Sequence, residues 1–310
     1  MIDEADRMLD MGFFDAIRDI IMLCPKERQT LLFSATYPPE IKKLSSEFLR
    51  NPQRVIVDET HTELDIEQIF YEVNHPADKF PLLKSLLLHY KPISTLIFCN
   101  TKEQTTQLAS MLTKEGFSAI ALNGDMEQSE RDVAIIRFKN QSCSILVATD
   151  VAARGLDIKE LPAVINFELA FEHDVHIHRI GRTGRAGSKG LALSLTTHKD
   201  AERLCAIEDG LKHPIMQGDV SKLNKTSKSI LLPEMVTLSI HAGKKDKIRP
   251  GDILGALTKD AGLPASTIGK IDITPFNSYI AVHRSHADKA LNYFQNGKLK
   301  GRKFSARKLK

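Results

Sequence analysis

The first residues that could do chemistry are the first residues of the chain. Met1-Ile2 runs into Asp3-Glu4-Ala5-Asp6, two apolar residues followed by three carboxylates. A buried parallel strand that ends at a ligand-binding edge looks like this. Asp3 and Glu4 suit a Mg²⁺–phosphate site: a hard cation takes carboxylate oxygen, often through water, and a neighbouring carboxylate can orient or deprotonate an attacking water. Alone, such an acidic cluster is more often a solvated turn or a helix start. Four later stretches could complete a site. Ser34-Ala35-Thr36 ends an apolar run, and its hydroxyls can hydrogen-bond the acidic loop. Gln128-x-x-Arg131 opens a helix with an amide and a guanidinium, groups that suit phosphate. Ala148 to Asp157 (ATDVAARGLD) follows a buried strand, where open α/β sheets bind ligands. His178 to Arg185 (HRIGRTGR) sets arginines among glycines, so that Arg182 and Arg185 can neutralise charge on a transferring phosphoryl group. Each has a bland reading as well, as a strand end, a solvated helix face or a basic loop.

These groups need a scaffold, and strands alternate with helices through most of the chain. A helical pattern covers residues 7–23 and stops at Pro25. An apolar strand is predicted over 29–33, a helix from Pro38-Pro39 to about Leu49, and a short strand over 54–57. Residues 58–65 are polar and aperiodic, as a linker is. From about 66 to 212 the reading is a complete α/β unit. Its buried strands are 95–99, 118–122, 144–148, 164–167 and 191–195, and Thr101 with Gln104 forms a capping-box signal. A second linker is read at 213–235. Residues 236–310 follow the order β-α-β-β-α-β, which is ferredoxin-like and shared by RNA-recognition modules. Fold class is therefore α/β: the end of one parallel-sheet lobe (1–57), a whole second lobe (66–212) and a small RRM-like domain (236–310). A catalytic strand at the start of a chain is unusual, and we read the chain as a fragment cut just upstream of Asp3.

Composition narrows the function. The 310 residues carry a net charge of +4, but unevenly. Val236 to Lys310 holds 15 Lys+Arg, 5 Asp and no Glu, a net +10; the rest holds 28 basic and 34 acidic groups, a net −6. A basic appendage on an acidic body points to a polyanion partner. No run is long and apolar enough for a membrane span. Cys24, Cys99, Cys143 and Cys205 are isolated, which argues against zinc or a disulfide framework and fits a reducing cytoplasm.

Taken together, in this order, the five stretches resemble the DEAD-box RNA helicase family: Asp3–Asp6 and Ser34–Thr36 look like its DEAD and SAT motifs in a first RecA-like lobe, and the other three stretches look like the motifs of its second RecA-like lobe. The basic tail, through residues 248–258 and 268–273, resembles the RNA-binding domain of a bacterial branch of that family. The resemblance implies an RNA-stimulated ATPase using ATP and Mg²⁺, acting on a 23S ribosomal RNA hairpin in pre-50S particles. It implies that Asp3 holds Mg²⁺ through water and Glu4 activates the attacking water. It implies that Asp6 and His178 link the lobes with Ser34 and Thr36, and that Asp157 meets the ribose. Arg182 and Arg185 would be arginine fingers, and Gly124, Arg131 and Thr149 would lie near the RNA backbone. Asn123 stands where the family commonly has His. The large departure is that no G-x-x-x-x-G-K-[ST] phosphate loop occurs in the 310 residues. In the tail, RNA contacts are expected from Lys244, Lys245, Lys247, Arg249, Lys270, Arg302 and Lys303, with Tyr279 the only aromatic on its predicted central strands. Charge and shape rather than stacking should then supply most of the affinity.

Overall fold

The computed structural model describes residues 1–310 except 11, 35, 36, 38, 57–65, 154, 155, 157, 159, 185–188, 212, 213, 224–228 and 310. The chain divides into two units, Met1–Asp58 and Glu59–Lys310.

Among its described residues the first unit has three helices and one β-bridge. Ile2 pairs with Leu32 in parallel, and the helices are α1 (Ala5–Asp10), α2 (Phe14–Met22) and α3 (Pro39–Phe48). The helical pattern of 7–23 is thus two helices, because the chain turns at Gly12 with φ +75, a conformation that glycine adopts without a Cβ clash. Ala5, Ile17, Ile41, Leu44 and Phe48 make a small core. Around it, Ile20, Met22, Leu23, Val55 and Ile56 stay exposed, Leu23 at 88%. The strands expected at 29–33 and 54–57 are a single bridge and, over 54–56, extended chain. Strand pairing needs a neighbour, and among its described residues this unit offers only the Ile2 segment.

The second unit holds two sheets. One has seven parallel strands in the order β3-β4-β2-β5-β6-β1-β7. Its strands are β1 (Ile66–Val73), β2 (Thr95–Phe98), β3 (Ala119–Leu122), β4 (Ile145–Ala148), β5 (Ala163–Asn166), β6 (Gly190–Thr197) and β7 (Met216–Gln217). The intervening helices are α4 (Lys79–Tyr90), α5 (Lys102–Lys114), α6 (Gln128–Lys139), α7 (Asp150–Ala153), α8 (His173–Ile180) and α9 (Ala201–Leu211). Strands β2, β4 and β5 are buried at every position, because helices cover both faces. One face packs Leu82, Leu83, Leu86, Leu108 and Leu112 on Ile97 and Val147; the other packs Ala134, Phe138 and Ala152 on Leu96 and Leu146. Thr101 caps α5 as its spacing predicts, accepting a hydrogen bond from the Gln104 N–H at 3.2 Å. Hydrophobic pattern missed β1, which alternates little and whose eight-residue pairing with β6 shows only in three dimensions, and the short β7, which falls in the stretch read as the second linker.

The other sheet is antiparallel, in the order β11-β8-β10-β9. Its strands are β8 (Met235–Ile240), β9 (Ile268–Ile273), β10 (Ser278–His283) and β11 (Ala306–Lys308), with helices α10 (Pro250–Gly255) and α11 (Ala287–Asn296) on one side. Leu238, Ile240, Ile280 and Val282 meet Ile253, Leu257, Ala290 and Phe294 in its core. This is the β-α-β-β-α-β order expected for the tail.

Candidate nucleotide and RNA site

In the first unit the acids differ from one another. Asp3 and Glu4 are exposed, with Asp3 Oδ1 accepting the Glu4 N–H at 3.0 Å and Glu4 in a left-handed turn at φ +50. Asp6 is buried, and its N–H donates to Ser34 Oγ at 3.2 Å. The bridge Ile2–Leu32 brings the two segments together, so the coupling of Ser34 to the acidic loop is direct. Thr36 lies outside the described residues. Two exposed carboxylates beside a fixed third fit a hydrated Mg²⁺–phosphate group better than a fully protein-ligated ion. Among the described residues no group of three or more His, Cys, Asp or Glu could hold a metal by itself.

In the second unit the chemistry gathers at the carboxyl edge of the parallel sheet, around one buried cation. Arg179, on α8, is 1% exposed. Its Nε and Nη2 donate to the two oxygens of Asp150 at 2.7 and 2.8 Å. Nη2 also donates to Asn100 Oδ1 at 2.8 Å, and Nη1 to the Glu168 carbonyl at 2.7 Å. The guanidinium lies 5.0 Å from the Phe98 ring centroid. One side chain thus ties together the ends of β2, β4 and β5 and the arginine segment, a geometry only a planar fork can satisfy. Residue reading singled out the flanking arginines and passed over Arg179, Asn100, Asp150 and Glu168; a lone Arg inside an arginine-rich motif gives no sign that it is buried.

From that anchor the expected residues fan out. Thr149 is buried and accepts a hydrogen bond from the Ala152 N–H, capping α7, at 3.4 Å. Arg182 Nη1 donates to the Leu156 carbonyl at 3.2 Å, and Thr183 Oγ1 donates to the Leu161 carbonyl, so the two motifs are stitched to each other. His178 is half-buried on α8. Asp157 and Arg185 lie outside the described residues. Asn123 is buried: its Nδ2 donates to the Lys102 carbonyl and to Thr106 Oγ1, and its Oδ1 accepts the Asp125 N–H at 3.1 Å. It therefore shapes the turn that presents Gly124, whose missing side chain leaves room beside Lys102. Arg131 sits in the first turn of α6, after a capping box from Glu127 and Glu130.

In the tail a cleft of about 680 Å³ is lined by Lys244, Lys247, Ile248, Arg249, Pro250, Ile273 and Lys300. Three of these cations were expected from sequence; Lys300 was not, and it is drawn in by Asp252 at 3.2 Å and the Lys247 carbonyl at 3.0 Å. Lys245 stands over Phe276, 4.1 Å from its centroid. Lys270 pairs with Asp272 at 3.1 Å, and Arg302 donates to the Asp246 carbonyl at 2.8 Å. Lys303 is exposed. Tyr279, expected as an RNA contact, is a buried residue, 7% exposed, which leaves little of it for a base to stack on in this arrangement.

Comparison with known proteins agrees with this geometry. The profile "Helicase conserved C-terminal domain" matches residues 78–187, "DbpA RNA binding domain" residues 237–308 and "DEAD/DEAH box helicase" residues 1–44. The ATP-dependent RNA helicase DbpA of Escherichia coli is 48% identical over all of this chain and 67% of its own length. The chain belongs to the DEAD-box ATP-dependent RNA helicases, of DbpA type. DbpA of Bacillus subtilis is 36% identical over 99% of the chain and 68% of its own length. The solved structure of Saccharomyces cerevisiae Dbp5 bound to RNA and ADP BeF3 shares 32% identity with a TM-score of 0.64, covering 70% of this chain and 58% of that one. A helicase of this family uses ATP and takes RNA as partner. No described helix is long and apolar enough to cross a membrane.

Proposed function

We propose that this chain serves a DbpA-type helicase that remodels 23S ribosomal RNA during large-subunit assembly in the cytoplasm. The observation that carries the targeting half is the basic cleft of Lys244, Lys247, Arg249 and Lys300, in a domain whose one central-strand tyrosine is buried. Such a surface takes RNA through phosphates and shape, with base stacking a minor term. The catalytic half rests on residue placement. Asp3 offers a carboxylate to water on Mg²⁺, Glu4 stands next to it as a base, and Asp6 with Ser34 fixes the loop that carries both. Arg182, whose guanidinium donates to the Leu156 carbonyl, is the arginine finger, with Arg185 as its companion, and Asp157 takes the ribose. ATP with its Mg²⁺, when bound, supplies the phosphoryl group. Gly124, Arg131 and Thr149 face the RNA backbone.

No G-x-x-x-x-G-K-[ST] loop is among these 310 residues. The 310-residue chain by itself is therefore proposed to bind RNA while hydrolysing ATP slowly or not at all. The same fact favours the second reading, an RNA-binding product without catalysis of its own.

The test is a filter-binding titration of the purified chain with a 23S ribosomal RNA fragment and an unrelated hairpin, over a range of salt. The 23S fragment is expected to bind more tightly, and the double variant Lys247→Ala/Arg249→Ala to weaken it. Equal affinity for both RNAs would remove the targeting role. RNA-stimulated ATP turnover by the 310-residue chain, followed by phosphate release, would sink the claim of inactivity.

A further inference from the structure

The antiparallel sheet has two faces, and on its two central strands both are buried. One carries Leu238, Ile240, Ile280 and Val282 into the core with α10 and α11. The residues that alternate with them point the other way, yet Thr237 is 0% exposed and Ala281 and Ser239 are buried beside Tyr279. Strand register places Thr237 opposite Ala281, and Ser239 opposite Tyr279, so these four make one contiguous patch on the two central strands. Four strands with helices on one side leave such a patch in water. Something else covers it.

The covering groups belong to the parallel-sheet lobe. Ser142, in the turn between α6 and β4, has its Oγ 2.6 Å from Thr237 Oγ1. Burial pushes the Tyr279 hydroxyl up; Arg307 opposes this, and the carboxylate of Asp132, on α6, adds to it. On the same helix, burial lowers the Arg137 guanidinium, whose Nε finds no hydrogen-bond partner. Two further links come from the connecting segment. Ile230 packs into the lobe's core, and Lys91 Nζ donates to Ser229 Oγ at 3.2 Å.

We infer that the outer face of the C-terminal sheet is a docking surface for the α6–β4 corner of the lobe, and that it stays covered while the domain holds RNA. The patch suits that partner. It is small-side-chained and weakly polar, with one hydroxyl pair matched across the contact, and the exposed Arg307 stands at its edge, opposite Ser239. Its one aromatic residue is buried, so it offers a base no stacking face. The basic cleft lies at the loops, with Lys244, Lys247 and Arg249 in the segment after β8, and so remains open when the sheet is docked. The helix that seats the domain is also the helix that carries Arg131 in its first turn. RNA gripped at the cleft is then presented in a fixed orientation to α6 rather than on a free tether. The claim about docking stands on the contacts alone; its second half rests on the RNA reading above.

The test is a cysteine pair, Ser142→Cys with Thr237→Cys, in a chain whose exposed Cys24 and Cys205 are changed to Ser. Diamide takes the two thiol hydrogens as the disulfide forms. Rapid cross-linking within one chain is expected, with affinity for the 23S fragment unchanged within about twofold between the oxidised and reduced forms. Failure to cross-link in a chain that melts like the parent overturns the docking. Cross-linking followed by a loss of about tenfold or more in affinity overturns the claim that the sheet stays covered. If neither form binds RNA, the RNA reading fails, and the cross-link still decides the docking. Nitration by tetranitromethane on the unsubstituted chain needs no variant: the exposed Tyr37 is expected to react and Tyr279 to be spared. Equal reaction of the two tyrosines would refute the contact.

Discussion

At the scale of single residues, the second lobe depends on one cation. Arg179 is nearly without solvent, and its charge is balanced by Asp150 through a two-pronged pair plus hydrogen bonds to Asn100 and the Glu168 carbonyl. Removing one member of such a pair strands the other. Arg179→Ala is expected to lower the stability of the lobe by about 3–5 kcal/mol in urea unfolding. Arg179→Lys should recover little, because an ammonium cannot bridge Asp150, Asn100 and a carbonyl at once. A loss below about 1 kcal/mol for the alanine variant, the size of a surface pair, would contradict the anchoring role.

At the scale of elements, two packing choices hold the arginine motif in place. The first is α8 against β1. His176 on α8 is fully buried, stacked on Phe70 and 3.1 Å from Gln68 Oε1. Burial, then the charge of Arg179 and of His173, lowers its imidazole to about 3. The folded state thus prefers neutral His176 while the unfolded chain protonates near its usual 6.5, so the unfolded state binds more protons between those values. The stabilisation is complete above about pH 6.5 and is lost as pH falls toward 3, at up to about 1.4 kcal/mol per pH unit. His176→Phe should flatten the fall in melting temperature between pH 7 and 5; an unchanged profile would show that other groups cause it. The second is β6 against the arginine loop. A Cβ on Gly190 would run into the Gly184 backbone and Thr183 Oγ1, and backbone cannot swing away. Gly190→Ala is expected to cost about 1–3 kcal/mol in unfolding stability, as overpacking does. Stability equal to the parent would mean the loop yields freely.

At the scale of the whole molecule, charge is divided by task. Four of the tail's fifteen Lys+Arg, Lys244, Lys247, Arg249 and Lys300, line one cleft, and the rest of the chain is net acidic. RNA affinity should fall linearly on a log–log plot against salt. Each phosphate contact removed by Lys244→Ala or Lys247→Ala should flatten the slope by about one. Lys270→Ala should do less, because Lys270 already pairs with Asp272. A slope insensitive to every one of these changes would mean the cleft is not where phosphate binds.

The sequence by itself determined the chemistry and most of the scaffold. Strand–helix alternation and buried runs such as 95–98 and 145–148 dictate a parallel sheet, because fully apolar strands need cover on both faces. The acidic stretch and the arginine motif, with the stretches between them, carry the family resemblance, and the uneven charge points to a polyanion partner. Only tertiary structure decided which arginine is structural. Arg179, Arg182 and Arg185 look alike in a string, and burial depends on what the sheet brings beside each. Only tertiary structure showed β1 pairing with β6 and Lys300 reaching the cleft, since both contacts span long stretches of chain. It also hid Tyr279, on a face of the strand that the neighbouring lobe covers. Local pattern fixes which side of a strand a residue takes; what lies on that side is decided by the rest of the molecule.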